Sequence, residues 1–70
     1  MKDFDLGLFI KKHRKFANLT QIELANLAEI GKTTVFEIEK NNENVSWKNI
    51  KAVLIVLNIT VTFQSPMKNL

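Results

Sequence analysis

The chain has 70 residues, no cysteine, and a net charge of +3 from ten Lys and Arg against seven Asp and Glu, with a pI near 9.5. A chain of that length holds a single domain, 1–70, burying roughly 60% of the surface its unfolded form exposes, and without thiols no disulfide framework or thiolate metal site can reinforce it. The charge suits a polyanionic partner. Residues 1–5 carry acids and no apolar signal-peptide stretch, and the apolar run 52–56 is far shorter than the ~20 residues of a membrane span, so a cytoplasmic protein without membrane contact is expected.

Leu6, Phe9, Ile10, His13 and Phe16 recur at helical spacing among Lys11, Lys12, Arg14 and Lys15, which predicts a first amphipathic helix from near Asp5 to Asn18. Asp3 or Asp5 suits its N-cap, and Asn18 suits a left-handed stop. Thr20 and Glu23 form a capping box at the head of a second helix, whose inner face is read as Leu24, Leu27 and Ala28, with Ala25 small enough to admit a neighbour. Glu29, Ile30 and Gly31 make a turn with Ile30 as its apolar plug. A third helix follows over 32–40, with Val35, Ile38 and Glu39 inward and Lys32, Thr33, Phe36, Glu37 and Lys40 outward. After the polar loop 41–44, Ser46 caps a fourth helix running from Trp47 to about Leu57, with Ile50, Val53, Leu54 and Leu57 inward.

The period then changes. Residues 59–64 alternate apolar with polar and are rich in β-branched types, the pattern of a strand that Pro66 ends. A lone strand needs partners for its backbone N–H and C=O groups. The simplest partner is the same strand from a second copy across a two-fold axis, with Ile59, Val61 and Phe63 as dimerisation residues. The expected fold is therefore all-α: a four- to five-helix domain, helical over 1–57, with a short C-terminal strand pairing across a homodimer. Trp47 suits core or dimer packing, and His13 suits a boundary position on its helix.

Two short helices joined by a tight turn, the second opening on groups that can hydrogen-bond to a groove, are the build of a helix-turn-helix DNA reader. Lysine bonds guanine O6 and N7, Thr33 offers a hydroxyl or a methyl, and Phe36 offers an apolar surface for a thymine methyl. Glu37 accepts from cytosine N4, repels phosphate, or pairs with Lys40. Thr20 and Gln21 stand at a helix N-terminus whose free N–H groups suit a phosphate. Thr34, Lys40, Asn41 and Lys48 are further phosphate candidates, with Lys11, Lys15, Lys51 and Asn44 able to flank the backbone. A single His, no Cys, no Tyr and only Gly7 and Gly31 leave no catalytic constellation, so no enzyme, metal site or cofactor is expected.

Leu19-Thr20-Gln21-x-Glu23-Leu24-Ala25 and Thr33-Thr34-Val35-Phe36-x-Ile38-Glu39 together resemble the Cro/repressor-type helix-turn-helix family over about residues 6–57. With the terminal strand the chain looks closest to the HipB-like antitoxin regulators. The resemblance implies a homodimeric repressor of a toxin–antitoxin operon that binds a palindromic double-stranded operator and partners a HipA-like kinase toxin. It implies that Gln21 touches phosphate and braces the recognition helix, that Lys32, Thr33 and Phe36 face base edges, that Thr34 meets backbone or base, and that Arg14 and Glu39 form a partly buried ion pair. Glu29 departs from the family, which usually has glycine there, so a left-handed backbone at that point would be strained. Phe36 and Glu37 are also unusual base readers. They keep open two other readings: a stand-alone phage-type or restriction-control regulator, and a protein-interaction module without DNA binding.

Overall fold

The computed structural model describes residues 4–67. Its helices are α1 (Leu6–Phe16), α2 (Gln21–Ala28), α3 (Lys32–Glu39) and α4 (Trp47–Val56). Three begin on a side-chain cap, which satisfies N–H groups that a helix cannot pair internally. Asp5 Oδ1 accepts from Leu8 N at 2.9 Å, Thr20 Oγ1 from Glu23 N at 3.1 Å, and Ser46 Oγ from Asn49 N at 3.3 Å. The Thr20–Glu23 box is complete, because Glu23 Oε1 also accepts from Thr20 N at 2.8 Å. Only α3 starts without such a bond, on Gly31.

All four helices end the same way. A residue in the left-handed region follows each: Asn18, Glu29, Asn41 and Asn58, with φ of 60°, 58°, 61° and 59°. The next residue then donates its N–H back across the last turn, Leu19 to Arg14 O, Ile30 to Ala25 O, Asn42 to Glu37 O and Ile59 to Leu54 O, at 2.9–3.1 Å. These are Schellman closures, in which an apolar residue just past the end usually packs back onto the helix. Leu19, Ile30 and Ile59 do so, each half-buried against the core. Asparagine tolerates the left-handed region better than most side chains, so three of the stops are legible in the sequence, whereas Glu29 has no such excuse.

The core is Ile10, Leu24, Ala25, Val35, Ile38, Val53 and Leu54. Helix α2 packs on both α3 and α4, and α1 packs on α3. Two expectations from apolar spacing are corrected. Leu27 is not on the inner face of α2; it is 59% exposed, and buried Ala25 takes its place beside Leu24. The small side chain lets two helices close on α2. In α1 the buried stripe is Gly7, Ile10 and Arg14, one residue round from the apolar stripe, and Phe16 is exposed. A glycine and an arginine face inward because α3 offers a close backbone approach and a carboxylate at those points.

The helix count settles at four, and no strand forms among the described residues. Residues 60–64 follow the last closure without a backbone–backbone hydrogen bond to another described residue. Ile59, expected as the first residue of the strand, serves here as the apolar closure of α4. No helix among the described residues is long and apolar enough to cross a membrane.

Candidate nucleic-acid interface

Helix α3 divides its residues by face. Val35 and Ile38 enter the core, while Lys32, Thr33, Phe36 and Lys40 are exposed. The outward face opens on the head of α2, where Gln21, Lys32, Thr33 and Phe36 surround a shallow hollow of about 260 Å³. Three of the residues expected at base edges thus stand together, with Gln21, one of those expected at phosphate, beside them. Phe36 is 43% exposed, and the Lys40 ammonium sits 4.9 Å from its ring centroid, a cation–π contact.

The fourth base candidate, Glu37, is half-buried, and its Oε1 accepts from Asn42 Nδ2 at 2.8 Å. Sequence reasoning did not pick out Asn42. Asn42 holds the closure position that is apolar after the other three helices, and no local pattern in the sequence ties its side chain to Glu37.

Behind its outward face, α3 is fixed to α1 and α2 by a buried polar network. Arg14 Nε donates to Glu39 Oε2 at 2.6 Å and Nη2 to Oε1 at 3.1 Å, a two-pronged pairing. The side chains are 9% and 4% exposed. Arg14 Nη1 donates to Leu19 O at 2.9 Å, which ties the α1–α2 turn to the same guanidinium. Gln21 Nε2 donates to Glu39 Oε1 at 3.1 Å. A bidentate arginine–carboxylate pair is geometrically specific, and a satisfied buried network holds one arrangement. Among the described residues no buried side-chain polar atom lacks a partner. One amide side chain, Gln21, therefore belongs both to the hollow and to the brace.

Asn41 is placed by the fold rather than at the hollow. Its Oδ1 accepts from Gly7 N at 2.8 Å, and its Nδ2 donates to Asp5 Oδ1 at 2.7 Å, so both ends of the amide hold the start of α1 to the end of α3. Gly7 is needed for that approach: a Cβ there would lie 2.4 Å from Glu39 O and 2.8 Å from Ile38 O. Thr20 spends its hydroxyl on the α2 cap. Thr34 is half-buried in the first turn of α3, and Lys48 stands exposed in the first turn of α4.

Comparison with known proteins bears on this geometry. The helix-turn-helix family model matches residues 10–64. No curated protein matches the chain. Among solved structures, a chain of the "Structure of HipA-HipB-O2-O3 complex" superposes with a TM-score of 0.80 at 24% identity, covering 96% of this chain and 99% of that one. A structure described as "MDT Protein" matches with the same figures. At that identity the likeness is one of fold, and it is consistent with the resemblance to HipB-like regulators. The family match spans most of the chain, including both helices that carry the hollow and the brace behind them, so the chain belongs to the Cro/repressor-type helix-turn-helix family of DNA-binding regulators, not to an enzyme family.

Proposed function

We propose that this protein is a sequence-specific repressor that binds double-stranded DNA as a homodimer and acts as the HipB-like antitoxin of a HipA-like kinase toxin, controlling their shared operon. The observation that carries the reading is the cluster of Lys32, Thr33 and Phe36 on the exposed face of α3, beside Gln21 at the head of α2. With α3 in the major groove, Lys32 and Thr33 address base edges, and the N–H groups at the start of α2, with Gln21, take a phosphate. Lys40 and Lys48 add phosphate neutralisation, and Thr34 adds a hydroxyl. Asn41 contributes through the position it gives α3.

The dimer reading is supported by the segment after α4. Val61 and Phe63 are exposed beside Trp47 and Ile55, and the groove they line with Phe4 and Phe9 has a volume of about 740 Å³. Residues 59–64 pair antiparallel with those of a second copy, which covers this groove and supplies the missing ladder. Two α3 helices then meet half-sites about 34 Å apart, or a multiple of that. The kinase partner is inferred from the resemblance and from the fold shared with a chain of a HipA–HipB complex.

Binding to the DNA upstream of its own gene, measured by fluorescence anisotropy at two salt concentrations, tests the reading. The expected result is selective binding that weakens steeply with salt. Equal affinity for unrelated duplexes overturns it in favour of a protein-interaction module.

A further inference from the structure

The geometry points to the 5-methyl group of a thymine as the feature that α3 reads through Phe36, with Lys40 holding the ring in its reading position. The inference rests on the DNA-binding reading above and names the chemistry of one contact within it.

A phenyl ring has no hydrogen-bonding atom, so it is blind to the donor and acceptor pattern of a base edge. Among the groups in the major groove, the thymine methyl is the one that is apolar. The ring has one flank occupied by the Lys40 ammonium, 4.9 Å from its centroid. Another side borders the hollow shared with Gln21, Lys32 and Thr33. That hollow brings together an aromatic ring, a threonine methyl and a lysine donor, with Gln21 at its edge held by Glu39. Such a lining accepts a methyl group while the lysine engages an acceptor beside it: O4 of the same thymine, or N7 of a neighbouring purine. The half-exposed ring gains most from a small apolar group, because the remainder of the groove floor is polar. Lys40 is a positioning residue in this scheme. Its exposed ammonium can face a phosphate from beside the ring, so the proposed DNA contact does not require it to leave Phe36.

The test uses duplexes recovered from a random pool by selection on the full chain. In the best of them each thymine is replaced singly by uracil, which keeps every hydrogen-bonding group and removes only the methyl. The parent protein should lose about fourfold in affinity at one defined position per half-site, the effect of withdrawing one buried methyl. Phe36→Ala, shown to be folded by circular dichroism, should bind the thymine duplex more weakly and no longer distinguish uracil at that position. Lys40→Gln should reduce the salt dependence and blunt the same discrimination. A parent protein indifferent to every uracil, or Phe36→Ala retaining the full discrimination, overturns the methyl contact and leaves DNA binding standing. Selection that enriches no duplex overturns both.

Discussion

At the junction of α1 with α3, polar groups are buried and matched; along the segment after α4, apolar groups are exposed. Arg14, Glu39, Gln21, Asn41 and the Gly7 amide all find partners within one chain. Val61 and Phe63, with Trp47 and Ile55 beside them, stand in water. The first region shows a fold completing itself. The second shows apolar surface in excess of what one chain of this size covers, the usual mark of an interaction site. The same contrast separates two roles: residues of the first kind fix where α3 sits, and residues of the second kind carry the proposed contact between copies.

The sharpest way to break the comparison is to remove half of the buried pair. Glu39→Ala strands the Arg14 guanidinium and cuts the Gln21 brace, and should cost about 3–5 kcal/mol. Chemical denaturation of parent and variant reads this directly, and a cost near zero would mean that the junction is not the organising contact described here. Arg14→Ala should fall in the same range, since it strands Glu39 and frees the Leu19 carbonyl.

Gly7→Ala probes the close approach of α1 to α3. The added Cβ meets backbone, which cannot rotate away. Overpacking of this kind costs about 1–3 kcal/mol, and here it also lengthens the hydrogen bond from Gly7 N to Asn41. A melting temperature equal to the parent's would show that the helices separate freely.

These two sites also show where the sequence was readable. The capping box, the Asn18 stop and the Ser46 cap are local chemistry, decided by residues within one turn, and their positions follow from residue type alone. The outward face of α3 was legible for the same reason, because Lys32, Thr33 and Phe36 alternate at fixed spacing with Val35 and Ile38. Gly7 was not readable as part of the inward stripe of α1, and the burial of Arg14 against Glu39 was legible only through the family resemblance, where the structure bears it out. Hydrophobic periodicity assigns the core side to Phe9 and Phe16, and only the carboxylate and carbonyl on α3 turn the helix the other way. Leu27 misled for a related reason: when two helices pack on one, room goes to the small residue, Ala25, rather than the most apolar. Asn41 reads as a phosphate candidate from its place just after α3, whereas its bonds to Gly7 N and Asp5 Oδ1 depend on contacts 34 and 36 residues away, which no local pattern reveals.

Glu29 sharpens the comparison from the stabilising side. It occupies the left-handed region at φ 58°, ψ 43°, where a Cβ crowds the following carbonyl. Its three counterparts at the other helix ends are all asparagine. Glu29→Gly removes that strain at the expense of a more flexible unfolded chain, and the balance should favour the folded state by about 0.5–1 kcal/mol. A small rise in melting temperature checks it. A fall would show that the glutamate makes up for its backbone in another way. Because the turn sets the angle between α2 and α3, the variant should retain DNA affinity only if that angle survives.

The smallest effect on the chain itself is expected at Phe63, and it is the most telling about the second region. The ring is 85% exposed, so Phe63→Ser removes little that a single chain buries, and the stability of the isolated chain should move by no more than about 0.5 kcal/mol. A dimer built on residues 59–64 would respond differently. Association that favours only the folded form makes melting depend on protein concentration. The parent's melting temperature should therefore climb as concentration rises through the micromolar range, while that of Phe63→Ser stays level and meets the parent's at the dilute end. Sedimentation should report a dimer for the parent and a monomer for the variant under the same conditions. If the parent sediments as a monomer and melts independently of concentration, the apolar surface after α4 is not a contact between copies, and spacing of half-sites by this segment is lost with it.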